Sequence, residues 1–130
     1  MKNAAAVLQR LVEALGAHDV DAAVSCWHTD VDVFHPLRPD RSYVGAAAFG
    51  RAVARSWAQT PPPAWELVSS GVVGDRIYLE TLITRADGTA TPCVSVLEVE
   101  EGKIRRGRIY TDVVVRDGVS MDSFVDRMNT

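Results

Sequence analysis

An α+β fold is predicted for this chain, with helices in its first half and an antiparallel strand meander in its second. Three observations predict it. Apolar residues recur at spacings of three and four up to about residue 60. Runs rich in β-branched residues follow from Trp65 onward. Gly74-Asp75, Asp87-Gly88 and Glu101-Gly102 punctuate those runs as turn signals.

Ala4, Val7, Leu8, Leu11, Val12 and Leu15 form one apolar stripe, which predicts a first helix ending near Gly16. Asp19 reads as the N-cap of a short second helix burying Val20, Ala23, Val24 and Trp27. Val31–His35 is β-rich and Pro36 stops it. Residues 36–44, with two prolines and two arginines, read as a loop. A third helix follows Gly45, carries Phe49, Val53 and Trp57 on one face, and ends at Thr60-Pro61-Pro62-Pro63. Strands are expected over 65–73, 77–84, 91–100 and 103–116. Ser120 is placed to cap a C-terminal helix carrying Met121, Phe124, Val125 and Met128. Leu8, Leu11, Val24, Val53 and Val94 are the expected core.

The chain has 130 residues, enough for one domain with its own core, and no linker or repeat divides it. Its 47% apolar and 24% charged residues are ordinary for a globular protein. A net charge of −3 gives no reason to expect nucleic acid or an anionic membrane as partner. The run Arg105, Arg106, Arg108 reads as a solvated strand face. Residues 4–15 are apolar on one face only, so neither a signal peptide nor a membrane span is expected and a cytoplasmic location follows. Cys26 and Cys93 are expected as thiols, with a single disulfide left open. His18, His28 and His35 lack metal-ligand spacing, and no phosphate-cradling glycine loop is present, so no metal and no cofactor are expected.

Several local patterns carry a family resemblance. They are Ala17-His18-Asp19-Val20-Asp21-Ala22 at the first helix junction, Val33-Phe34-His35-Pro36 at the short strand, and Tyr43-Val44-Gly45 before the third helix. The last is the segment from Gly102 to Tyr110-Thr111-Asp112 in the final hairpin. In this order, over nearly the whole chain, they resemble the nuclear transport factor 2-like superfamily. That group includes ketosteroid isomerases, limonene epoxide hydrolase and the SnoaL-like polyketide cyclases. The resemblance implies a cone-shaped roll, also called cystatin-like, in which a curved antiparallel sheet wraps around three N-terminal helices. It further implies a small-molecule pocket over the concave face and a homodimer paired through the sheet.

The resemblance places His35 where the isomerases carry an acidic general base, and an imidazole suits proton shuttling near neutral pH. It places Asp112 at the acid–base position of the cyclases, although strand parity sets Tyr110 and Asp112 opposite Ile109 and Thr111, so a purely structural Asp112 stays open. Leu11, Trp27, Tyr43, Val53, Trp57, Val94, Ile109 and Thr111 are the expected walls of the site, while Phe49 and Trp65 read as core filling. Glu80 reads either as a buried carboxylate or as a solvent-facing one. Three positions depart from the enzymes. Leu11 and Val94 stand where the isomerases hold an oxyanion with Tyr and a carboxylic acid, and Ile109 stands at the last-strand Asp of the epoxide hydrolases. Two functions remain open. One is an isomerase, cyclase or dehydratase using His35 on an apolar carbonyl compound. The other is a non-catalytic ligand-binding or dimerisation module.

Overall fold

The computed structural model describes residues 3–37, 39 and 42–111. The apolar stripe of the first helix becomes α1 (Asn3–Gly16), which buries Ala4, Val7, Leu11 and Ala14. The chain reverses through His18, which takes a left-handed φ of 53°. Asp19 then caps α2 (Val20–Ser25), its carboxylate accepting from the Ala22 N–H at 3.0 Å. Gly45, at φ 100°, donates its N–H to Val31 O at 2.7 Å and opens α3 (Ala46–Trp57). That φ is open to glycine and strained for other residues.

β1 spans Trp27–Phe34 and β2 spans Tyr43–Val44. The meander is β3 (Ala64–Val73), β4 (Arg76–Thr84), β5 (Ala90–Glu100) and β6 (Lys103–Tyr110). Together they form one six-stranded curved, open sheet in the order β2-β1-β6-β5-β4-β3. Register shifts interrupt the β1–β6, β3–β4 and β5–β6 pairings. Such bulges bend a strand and increase its local twist. α1 packs on β3 to β6, and α3 packs on α2, β1 and β2, so both longer helices lie against one face of the sheet.

Several expectations need correction. β1 starts at Trp27, before Val31, because the Ile104 N–H reaches back to Cys26 O at 2.8 Å and pairs the chain there. Exposed Thr29 and Asp30 break the alternation that would have marked this stretch as strand. Tyr43 and Val44, expected in a loop, pair with Val33 and Asp32 as an edge strand. The sheet is not wholly antiparallel, since β1 and β6 run parallel. That arrangement is open to two strands separated by a long connection. Of the expected core, Leu11 is 2% exposed, but Leu8, Val24 and Val53 are only partly buried and Val94 is 44% exposed. Both cysteines are buried and free. The expected continuation of the last strand to residue 116 and the expected C-terminal helix fall outside the described residues.

Strand alternation sorts the sheet into two faces. On β4, Ile77, Leu79 and Thr81 turn to the helices, while Arg76, Tyr78 and Glu80 turn away. Glu80 is therefore a surface carboxylate, accepting from Ser69 Oγ at 2.8 Å. The arginine run is a surface feature too. Arg105 pairs with Asp30 and the His28 ring, and Arg106 lies 4.0 Å from Glu98 with most of its side chain in solvent.

Candidate functional site

The helix-covered face does not close completely. A cavity of about 270 Å³ lies between α1, α3 and the sheet. Leu11 and Leu15 line it from α1; Phe49, Val53, Ser56 and Trp57 from α3. The sheet contributes Trp65, Leu79, Thr81, Ile83, Cys93, Ser95, Leu97 and Ile109 from the meander, and Trp27 from the start of β1.

Local sequence explains two of these walls. Trp27 lies against β6 at Gly107, where a Cβ would stand 3.6 Å from Trp27 Cζ3 and 3.2 Å from Leu97 Cδ2. Glycine in mid-strand makes room here chiefly for Leu97, while the indole would meet a Cβ at ordinary contact distance. The Trp27 ring then stacks at 4.4 Å, tilted, on Phe49. Trp57 is held edge-on by His18, with centroids 5.2 Å apart. His18 in turn donates from Nε2 to Pro63 O at 3.0 Å, which ties the α1–α2 turn to the approach to β3.

The cavity is mostly apolar, and none of its described lining residues carries a charged side chain. Its polar groups are neutral. Thr81 and Cys93 face one another across the β4–β5 ladder, and Ser95 stands next on the same face of β5. Cys93 Sγ and Ser95 Oγ are 3.8 Å apart. Burial pushes the Cys93 thiol above its ordinary value, partly offset by hydrogen bonding to Ser95 and Thr81, so the group sits protonated at neutral pH.

The structure gathers Leu11, Trp27, Val53, Trp57 and Ile109 around this one cavity. Trp65 and Phe49, read from sequence as core filling, line it as well. His35 and Tyr43 do not belong to the described lining. His35 is 8% exposed at the end of β1, on the side of Val31 and Val33, with its ring 6.0 Å from Tyr43. Tyr43 stands 6.2 Å from Phe49 and is buried enough to push its hydroxyl well above the ordinary tyrosine range. His35 thus neighbours Tyr43, and Tyr43 neighbours Phe49 on the cavity wall. Thr111 is half-buried just past β6 and outside the described lining. Asp112 lies outside the described residues.

Val94 is the clear correction. It turns to the open face beside Tyr110 and Glu80. Cys93, Ser95 and Leu97 are the β5 residues that line the cavity. Val94, which cannot donate a hydrogen bond from its side chain, is therefore not what β5 offers the cavity. Thr81, Cys93, Ser95 and Ser56 were not singled out from sequence. Their signal was strand and helix parity relative to Leu79, Leu97 and Val53, which share their faces.

No protein of curated function matches the sequence. Among solved structures, an NTF-2 like protein of unknown function from Burkholderia xenovorans LB400 aligns with a TM-score of 0.72 and 20% identity, over 97% of this chain and 92% of that one. An LEH-like epoxide hydrolase of M. tuberculosis aligns with a TM-score of 0.69 and 17% identity, over 85% and 84%. A protein of ketosteroid isomerase-like fold from Catenulispora acidiphila DSM 44928, in complex with trimethylamine, aligns with a TM-score of 0.65 and 15% identity, over 80% and 83%. At these identities the likeness is one of fold. The family model for the SnoaL-like domain matches residues 8–107, most of the chain and every element from the second half of α1 into β6. This chain belongs to the SnoaL-like domain family.

Proposed function

We propose that this protein holds a small, largely apolar organic molecule in the cavity between α1, α3 and the sheet. The observation that supports this reading is the cavity itself. It is walled by aromatic and aliphatic side chains with a few neutral polar groups, the usual make-up of a small-molecule site. At about 270 Å³ it suits a ligand smaller than a typical drug. Trp27, Trp57 and Trp65 all line it, so tryptophan emission reports on its contents. Titration with bromocyclohexane, a neutral heavy-atom quencher, should quench that emission saturably at one equivalent. Quenching that rises linearly without saturation would show only random collisions and would refute the reading.

A catalytic role is the second reading, and one observation favours it. His35 is buried and connects through Tyr43 to Phe49 on the cavity wall. In this reading His35 is the acid–base group, with Asp112 as its acidic counterpart, for an isomerisation, cyclisation or dehydration of a carbonyl compound. His35→Ala should then abolish turnover while leaving bromocyclohexane quenching intact. Full activity in that variant would remove the catalytic reading and leave the binding module.

The proposal extends to assembly. The open face exposes Tyr78, Val94 and Tyr110, and we propose that two copies pair through it. Sedimentation at micromolar concentration should give a dimer; a monomer would refute it. A cytoplasmic location is retained as part of the proposal. Among the described residues, no helix is long and apolar enough to cross a membrane.

A further inference from the structure

The cavity has a polar floor, and that floor has a definite chemistry. Thr81 is 6% and Cys93 9% exposed, and with Ser95 they form a patch of two hydroxyls and one thiol on adjacent strands. Around them the lining is Leu79, Ile83, Leu97 and Ile109. Trp27, on the same lining, carries a buried indole N–H with no hydrogen-bond partner among the described residues. Hydroxyl, thiol and indole groups all donate, and the first two also accept. No cation is present among the described lining residues to neutralise an anion, and no carboxylate to neutralise a cation.

We infer that Thr81, Cys93 and Ser95 form an anchor for one uncharged oxygen function, a ketone or alcohol, on an otherwise apolar ligand, and that the cavity rejects the corresponding carboxylate. The inference rests on the cavity reading proposed above. Its physical basis is the cost of burying polar groups. A carbonyl oxygen set against this floor exchanges water for protein donors and binds at little net desolvation cost. A hydrocarbon of the same shape covers the floor and leaves its donors without a ligand partner. A carboxylate loses its hydration without gaining a counter-charge. Each of these ligands fills the same apolar walls, so the difference between them isolates the floor.

The experiment is calorimetric titration with four ligands of one skeleton: indane, 1-indanone, 1-indanol and indane-1-carboxylate. The natural chain should bind 1-indanone and 1-indanol about tenfold more tightly than indane, the contribution of one well-made neutral hydrogen bond. The carboxylate should bind more weakly than indane. In Thr81→Val/Ser95→Ala, the ratio of indanone to indane affinity should fall to about one. Thr81→Val is nearly isosteric, and Ser95→Ala alone serves as the milder variant, with a reduced ratio expected there too. An indanone preference unchanged in both variants would overturn the anchor, as would a carboxylate that binds as tightly as the ketone. If indane and all three derivatives fail to bind, the cavity reading falls and the anchor falls with it. If indane binds and the ketone gains nothing over it, only the anchor falls.

Discussion

Gly50 lies in the middle of α3, where alanine ordinarily stabilises a helix by about 1 kcal/mol over glycine. Here the expected sign is reversed. A Cβ at this position would stand 2.9 Å from Val24 Cγ2 on α2. Carbon atoms prefer about 3.5–4.0 Å. Val24 has little freedom to swing away, because a β-branched side chain in a helix has one strongly preferred rotamer. α2 itself is pinned at one end by the Asp19 cap and at the other by the Cys26 N–H bonded to Ala23 O at 3.1 Å. The helices must therefore move apart, an overpacking that costs about 1–3 kcal/mol. Set against the propensity gain, Gly50→Ala should destabilise the natural chain by about 0–2 kcal/mol. In a Val24→Ala background the clash is absent, and the same substitution should stabilise by about 1 kcal/mol. Urea melts of the four proteins close a double-mutant cycle, whose coupling should be about 1–3 kcal/mol. Equal stabilisation by Gly50→Ala in both backgrounds would refute the close approach of α2 and α3 described here.

Two further outcomes follow from packing and burial. Leu11→Ala should cost about 2–5 kcal/mol, toward the upper end because Leu11 already borders a cavity that its neighbours do not fill; a urea melt showing under about 0.5 kcal/mol would mean that α1 is not packed on the sheet. Cys26, Cys93 and Tyr43 all have proton affinities raised by burial, so between the unfolded and folded values the folded chain holds protons that the unfolded chain has released. Stability from these groups is therefore complete below their ordinary values, 9.0 for the thiols and 10.0 for the phenol, and declines as pH rises beyond them. Tyr43→Phe should flatten that alkaline decline, and a decline equally steep in the variant would contradict its burial.

The helical half of the chain was legible because its signals are local. Asp19, Gly45 and the apolar stripe of α1 each act within one or two turns, and each performs the expected role. The meander was legible from its turns, since Gly74, Gly88 and Gly102 all take positive φ where the turns require it. β2 and the parallel β1–β6 pair were not legible, because two residues carry no periodicity and strand partners distant in sequence leave no local mark. The site was half legible for a related reason. Large apolar residues such as Leu11 and Trp57 announce themselves wherever they stand. How His35 stands to a cavity depends on the packing of Tyr43 and Phe49 beside it, and ring packing between distant segments leaves no mark in the sequence.

β5 shows where the resemblance misled. Leu97 and Val99 turn to the helices as apolar residues should, but so do Thr91, Cys93 and Ser95, while Val94 is exposed on the open face. The resemblance sends Val94 inward, and with a period of two that placement would turn Cys93 and Ser95 to the wrong side. Violations of binary patterning of this kind concentrate at functional sites. Here the inversion has two parts, a polar floor under the cavity and an apolar surface on the far side of the same strand. Val94→Lys separates the two placements of this residue. On the open face the lysine reaches water, so far-UV circular dichroism should be unchanged, while two like charges brought together across a paired sheet should split the proposed dimer into folded monomers. In the cavity, an ammonium without a counter-charge would cost several kcal/mol and unfold a domain of ordinary stability. A folded dimer with Lys at this position would show that copies do not meet at Val94, and an unfolded variant would return Val94 to the interior.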